Sequence, residues 1–276
     1  EHLDFYKKFK NLKKAFASFI NRTPAFGKSF VCLDNKELRK ILFKLKNRNF
    51  LTYGFNSKAN YQILNTSYKK EYSLFDLKIS TPSSKNKIIR NIKVNLIGSY
   101  NILNSVAAIA LCSYIGIDLK IIKQSLKEFA GIQRRMTRVL EFKGNDFFDD
   151  YAHHPTEIKS VLESLKKANP KRKIISIFQP HRYSRLQLLK KEFSFSFKSS
   201  NRLLLCPVYS AGEKINKKYD EENFAKLISK NSKVQVIIIK DQNELNKFLK
   251  KNLLTNEIII GLGAGSITKW MREITL

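Results

Sequence analysis

The chain is short of four things, and each shortage excludes a class of protein. Its 276 residues contain only three cysteines, Cys32, Cys112 and Cys206, odd in number, far apart and set in apolar segments. Neither a disulfide framework nor a CxxC metal site can organise such a chain. No run of about eighteen uncharged apolar residues occurs, which argues against membrane insertion. Residues Glu1 to Lys10 lack the basic start and apolar block of a secretory signal, so the expectation is a soluble, cytoplasmic protein. The fourth shortage is of acids, since 23 Asp and Glu face 52 Lys and Arg and leave a net charge of +29.

So basic a composition invites a nucleic-acid reading, because basic surfaces attract phosphate backbones and release counterions. That reading requires a patch. Residues 1–130 hold 24 Lys or Arg against 8 acids and residues 131–276 hold 28 against 15, so the excess is spread along the chain. Diffuse charge governs solubility and non-specific association, not recognition. The aromatic residues fall on apolar stripes instead of beside basic loops, and no nucleic-acid module is present. No specific nucleic-acid partner is expected; a non-catalytic basic nucleic-acid-binding protein is the alternative from another class. No feature specifies an oligomeric state.

What the chain does have is apolar residues, 43% of the total, enough for a sizeable core and more comfortably two domains than one. Phe5, Phe9, Leu12, Phe16 and Phe19 recur at spacings of three and four and predict an amphipathic helix. Residues 29–33 read as a strand and Leu38, Ile41, Leu42 and Leu45 as a helix. From residue 50 to 96 the apolar residues alternate at period two, which predicts a small antiparallel block. Helices are expected over Asn101–Tyr114 and Asp118–Phe129, each ending near a glycine, Gly116 or Gly131. A boundary is placed near residue 131, giving domains 1–130 and 131–276. Beyond it, apolar runs at 173–178, 202–206, 234–240 and 257–261 alternate with helical stretches. Such runs are covered on both faces, as in a mostly parallel sheet with right-handed crossovers. The fold class is α/β, with a Rossmann-like second domain.

Two polar clusters follow strands of that second domain. Asp149-Asp150-Tyr151-Ala152-His153-His154-Pro155 comes after Phe147-Phe148, with Pro155 suited to the first turn of a helix. It sits at the carboxyl end of a strand, where open α/β sheets bind ligands. Helix capping with solvated histidines is the plainer explanation, but only four histidines occur and three lie at strand ends. Gln179-Pro180-His181-Arg182-Tyr183-Ser184-Arg185 follows Phe178. Arg182 and Arg185, three apart at a helix opening, are expected on one face beside free N–H groups, an arrangement that holds a carboxylate. An exposed basic helix start explains this second cluster equally well. Two glycine motifs are decoys. Gly261-Leu262-Gly263-Ala264-Gly265-Ser266 lacks the GxGxxG spacing and reads as a tight turn, and Gly27-Lys28-Ser29 has Arg22 where a P-loop needs glycine.

In this order the clusters resemble the Mur ligase family. The resemblance is carried by His2-Leu3-Asp4, GSYNILN from Gly98, Arg134-Arg135, DDYAHHPTE from Asp149, FQPHRYSR from Phe178, VYSAGE from Val208 and GAGSI from Gly263, and spans nearly the whole chain. It implies an ATP- and Mg2+-dependent, amide-forming enzyme of peptidoglycan synthesis with three domains: one for a UDP-sugar, a central ATPase domain with a P-loop, and a Rossmann-like domain that receives the amino acid. This chain would begin inside the central domain, without the UDP-sugar domain and P-loop, and alone is not expected to be a competent ligase. The PHRYSR segment favours the branch that joins L-alanine to UDP-N-acetylmuramate; the branch that recycles a murein tripeptide is the alternative.

The resemblance also implies roles. His2 would be a magnesium ligand. Asn101 and Asn104 would read the adenine edge, with Tyr100 standing where the family usually shows His. Arg135 would meet an ATP phosphate, and Asp150 the ribose hydroxyls. Arg182 and Arg185 would hold the alanine carboxylate, with Tyr151, His153 and His181 shaping and polarising the pocket. His153, Arg182 and Arg185 are the implied catalytic groups, and no residue is assigned as general base.

Overall fold

A computed structural model of the chain describes residues 3–45, 49–82, 84–216 and 219–276, and the side chains of residues 3, 4 and 85 are not among those described. His2, the expected magnesium ligand, therefore lies outside the described residues. The chain divides into two compact units, Glu1–Ala130 and Gly131–Leu276.

The first unit runs α1 (Leu3–Tyr6), α2 (Phe9–Asn21), β1 (Ser29–Cys32), α3 (Lys36–Lys44), β2 (Phe50–Gly54), β3 (Tyr61–Tyr68), β4 (Ser73–Thr81), β5 (Ser84–Val94), α4 (Ser99–Tyr114) and α5 (Leu119–Glu128). Its five strands form one sheet in the order β1-β2-β3-β4-β5. The antiparallel block is present as β3–β5, but it is not a separate layer. β2 belongs to the same sheet and pairs parallel with β1 and, through Tyr53 and Gly54, with β3. Strict alternation along β4 turns Phe75, Leu77 and Ile79 inward, where they meet Ile102, Val106 and Ile109 of α4 and Ile122 of α5. The phenylalanine stripe behaves differently from a core stripe. Lys7, at φ 61°, separates Phe5 from α2, and Phe5 and Phe19 remain about three-quarters exposed. The residue that anchors α2 is Ile20, packed with Val31, Ile41, Leu42 and Leu45.

The second unit runs β6 (Thr137–Phe142), β7 (Asn145–Asp150), α6 (Pro155–Ala168), β8 (Lys173–Phe178), α7 (Tyr183–Leu188), α8 (Lys190–Ser194), β9 (Arg202–Leu205), α9 (Glu221–Ser232), β10 (Gln235–Ile238), α10 (Gln242–Asn252), β11 (Glu257–Leu262) and α11 (Ile267–Arg272). The sheet order is β10-β9-β8-β11-β7-β6, parallel throughout except for the β6–β7 hairpin. That hairpin, which the sequence pattern did not suggest, turns on Lys143 and Gly144 at φ 49° and 75°, the two positive angles of a primed turn. β8 and β11 are buried along nearly their whole length, as strands covered on both faces must be.

The amino-terminal edge of this sheet is held by a buried ion pair. Asp146 of β7, nearly inaccessible, bonds both Arg172 and Arg138. Arg172 also donates to the carbonyls of Gly144 (3.1 Å), Asn256 (3.2 Å) and Glu257 (2.6 Å), so one guanidinium clasps the starts of β7, β8 and β11. Burial pushes the Asp146 carboxyl up, but the hydrogen bonds and charges of Arg172 and Arg138 outweigh it and hold the group below the usual range. A depressed folded value means that this stabilisation is present above the unfolded value, about pH 4, and is lost as pH falls through the folded one. Arg172→Ala, which strands a buried carboxylate, is expected to cost about 3–5 kcal/mol in urea unfolding. A loss below about 1 kcal/mol would show the clasp to be dispensable.

Candidate functional site on the carboxyl rim of the second sheet

The site begins with register. Leu262 pairs with Asp150 on one side and Phe178 on the other, and Phe178 pairs with Leu205. Four parallel strands thus end at one level, and the turns after β7, β8, β9 and β11 leave the sheet together. The two polar clusters are not on neighbouring strands, because β11 lies between β7 and β8. The glycines after β11 allow the loops to meet over it. A Cβ on Gly263, at φ 152°, would sit 2.8 Å from the Gln179 carbonyl oxygen, and one on Gly265 would sit 2.5 Å from the Tyr209 ring. Gln179, buried, locks the same turn: its Oε1 accepts from Ile267 N (3.0 Å) and its Nε2 donates to Ser266 Oγ (3.0 Å). The glycine motif is a close-packing device.

Above this turn four rings stand in a row. Tyr151 meets His153 edge to face at 5.1 Å, His153 lies 5.9 Å from His181, and His181 stacks on Tyr209 at 5.5 Å with 23° between planes. The Arg134 and Arg135 guanidinium groups lie over the Tyr151 ring at 4.4 and 5.5 Å, within cation–π range. The two adjacent histidines divide their work. His154 is the N-cap of α6, its ring accepting from Thr156 N while Glu157 accepts from the amides of His153 and His154. His153 is buried and turns into the row.

Donor and acceptor chemistry orients both ring protons. A carbonyl only accepts, so the 2.9 Å bond between His153 Nδ1 and Tyr151 O places a proton on that Nδ1, and a neutral His153 would carry its lone pair on Nε2. A guanidinium only donates, so Arg185 Nη1 at 3.2 Å from His181 Nδ1 gives neutral His181 its proton on Nε2. His181 stays neutral at neutral pH: burial first, then the charges of Arg185, His153 and Arg182, lower its pKa to about 4.

The arginines are arranged otherwise than helical spacing predicts. α7 begins at Tyr183, and Arg182 lies outside it at φ 72°, ψ 129°, so the i,i+3 same-face argument does not apply. Nor are the first N–H groups of α7 open to a ligand. The Glu213 carboxylate accepts from Ser184 N at 3.1 Å and from Ser184 Oγ. Arg182 is set instead by backbone pairing, its N–H donating to Tyr209 O at 2.9 Å beside the His181–Tyr209 bridge. Tyr209 and Glu213 were not singled out as site residues from sequence, although both lie in the VYSAGE stretch that carries the resemblance.

Asp150 is 1% exposed, and its two oxygens accept from Met136 N and Ala152 N, each at 2.8 Å. It joins the start of β6 to the turn after β7, and its carboxylate is not presented to solvent for a ribose. Its neighbour Asp149 is also buried, with Thr268 Oγ1 at 3.1 Å. In the first unit the expected adenine readers differ in access. Asn101 is buried and donates to Ile97 O at 2.8 Å within the first turn of α4, whereas Asn104 is exposed. Among the described residues no group of three or more His, Cys, Asp or Glu is placed to hold a metal ion. None of the described helices is long and apolar enough to cross a membrane.

Fold and rim define an α/β protein whose second unit is Rossmann-like, with imidazole and guanidinium groups gathered where such sheets bind ligands. The chain belongs to the Mur ligase family: residues 1–112 match the Mur ligase middle domain and residues 134–265 the Mur ligase, glutamate ligase domain. It is 50% identical over 274 residues to a UDP-N-acetylmuramate–L-alanine ligase of Pelagibacter ubique, covering 99% of this chain and 59% of that relative. The chain thus spans under three-fifths of that relative's length. The crystal structure of a UDP-N-acetylmuramate-alanine ligase from Thermotoga maritima superposes with a TM-score of 0.75 at 23% identity, covering 99% of this chain and 56% of that one. A MurF ligase from Thermotoga maritima in complex with ADP gives 0.72 at 14% identity, covering 98% and 58%. At these identities the two structures speak for the fold alone.

Burial outweighs two amide hydrogen bonds and the charge of Arg135 and pushes the Asp150 carboxyl up to about 6. A raised folded value means that this group's contribution is fully present below its unfolded value, near 4, and is lost as pH rises through about 6. The stability of the wild type relative to Asp150→Asn is therefore expected to fall between about pH 4 and pH 6. Asp150→Ala, which orphans two buried N–H groups, should cost about 2 kcal/mol in urea unfolding. A wild-type advantage that grows with pH over that interval would reverse the assignment.

Proposed function

We propose that this chain supplies the amino-acid-accepting domain, and part of the nucleotide-binding domain, of an ATP-dependent ligase that joins L-alanine to UDP-N-acetylmuramate. The observation that carries the reading is the gathering of Tyr151, His153 and His181 in one row, with Arg185 bonded to His181 and Arg182 beside it. The identity with the Pelagibacter ubique relative supports the same substrate pair.

Amide formation from a carboxylate requires that the carboxylate first become an acyl phosphate and that an uncharged amine then attack its carbon. The protein's part is alignment and charge placement. In this reading Arg182 and Arg185 bind the alanine carboxylate, for which a guanidinium fork offers two directed donors where an ammonium offers a point charge. Tyr151 and the two imidazoles wall the pocket around the amine; the His181 Nε2 proton gives it a donor, and His153 in its neutral form would add an acceptor at Nε2. Neutral His181 suits a place beside two guanidinium groups, where a third cation would over-bind the carboxylate.

At the nucleotide, Asn104 is the exposed carboxamide for an adenine edge, with Asn101 holding its turn, and Arg135 is the phosphate contact. The ADP held by the MurF structure supports a nucleotide site in this fold. Asp150 acts by fixing the backbone on either side of it, and any contact with a ribose would require the turn to open. Magnesium would supply charge neutralisation at the transferred phosphoryl group. The described residues do not form a site for it, and His2 remains its assigned ligand.

Arg182→Lys in the full-length protein is expected to raise KM for L-alanine about tenfold or more, the loss of one bidentate contact, while KM for ATP moves less than about twofold. Equal rises in both constants would remove Arg182 from the amino-acid site.

A further inference from the structure

Two guanidinium groups carry more positive charge than one carboxylate needs, and the structure sets a third charge beside them. Glu213 lies on the segment after β9, bonded to Ser184 N and Oγ and close enough to Arg182 to feel its charge. Burial works against its ionisation, but the Ser184 hydrogen bonds and Arg182 prevail and hold the carboxyl below the usual range. The segment that carries it is fixed. Tyr209 N donates to Pro180 O at 2.8 Å, Arg182 N donates to Tyr209 O at 2.9 Å, and Glu213 N donates to Ser210 O at 3.1 Å. Glu213 and both arginines all bear on His181, which is itself uncharged at neutral pH. Arg182, Arg185 and Glu213 between them carry a net charge of +1.

We propose that Glu213 is a specificity-determining residue: by offsetting one guanidinium it leaves a pocket matched to a monocarboxylate and poor for ligands that bring a second negative charge, such as hydrogen phosphate or the side-chain carboxylate of a dicarboxylic amino acid. The inference rests on the assignment of Arg182 and Arg185 to the amino-acid carboxylate. A nearby negative charge penalises a dianion twice as strongly as a monoanion, so removing it favours the wrong ligands most. An enzyme that releases phosphate beside this pocket gains from such discrimination.

Glu213→Gln keeps an acceptor for Ser184 and removes the charge, whereas Glu213→Ala removes both. The imidazole resonances of His153 and His181 report occupancy of this pocket itself, apart from binding to surface lysines. With inorganic phosphate as the probe at neutral pH and constant low ionic strength, Glu213→Gln is expected to bind about tenfold more tightly than wild type, with L-aspartate following phosphate and L-alanine changing less than about threefold. Equal phosphate affinity in wild type and Glu213→Gln overturns the inference. A gain seen in Glu213→Ala but not in Glu213→Gln assigns the effect to the lost cap and overturns it as well. If wild type gives no response to L-alanine, the carboxylate-site reading fails, while the phosphate comparison still decides the role of Glu213.

Discussion

The site depends on a backbone constraint before it depends on any side chain. Three parallel strands in register bring Asp150, Leu262 and Phe178 to one level, and their turns then compete for the same space. Gly263 and Gly265 resolve that competition by having no side chain, because a methyl group at either position would overlap Gln179 or Tyr209. With the β11 turn flattened, the turns after β7 and β8 reach across it, and His153 and His181 come within 5.9 Å of each other although their strands are not neighbours. At the opposite end of the strands, Arg172 draws together the starts of the same three. The register is pinned below and used above.

Electrostatics then divides the rim into groups that hold charge and groups kept from it. His181, pressed by burial and two guanidinium groups, is neutral. Asp150, almost wholly enclosed, has its carboxyl pushed up to about 6 by burial against the pull of two amides, and serves the backbone. Glu213 is ionised because Ser184 and Arg182 favour the charged form. In the proposed reading, a pocket for a small zwitterion would need such a balance: enough positive charge to hold a carboxylate, and too little to retain phosphate.

Much of the architecture was legible in the chain. Period-two alternation marked β3 to β5, and continuous apolar runs marked β8, β9, β10 and β11, because side-chain burial imposes those patterns directly. The turn β6–β7 was not legible: Lys143-Gly144 is a weak hairpin signal, and Thr137–Phe142 carries no clean alternation. The parallel placement of β2 was also hidden, since pairing between distant segments leaves no local trace. The phenylalanines of α2 followed helical spacing, yet Phe19 stays exposed and Ile20 makes the core contact; spacing marks a face but not what covers it.

The sequence by itself determined the residue types of the site and the strands they follow, because a strand end succeeded by DDYAHHP or QPHRYSR is a local pattern. It also determined the family, through motifs whose order survives without coordinates. Only the tertiary structure decided which groups meet. Arg182 leaves the helical region because its N–H pairs with Tyr209, the first amides of α7 belong to Glu213, and Asp150 turns inward to hold two amides. Each of these is settled by a partner tens of residues away or by burial, and neither long-range pairing nor desolvation is written in local spacing.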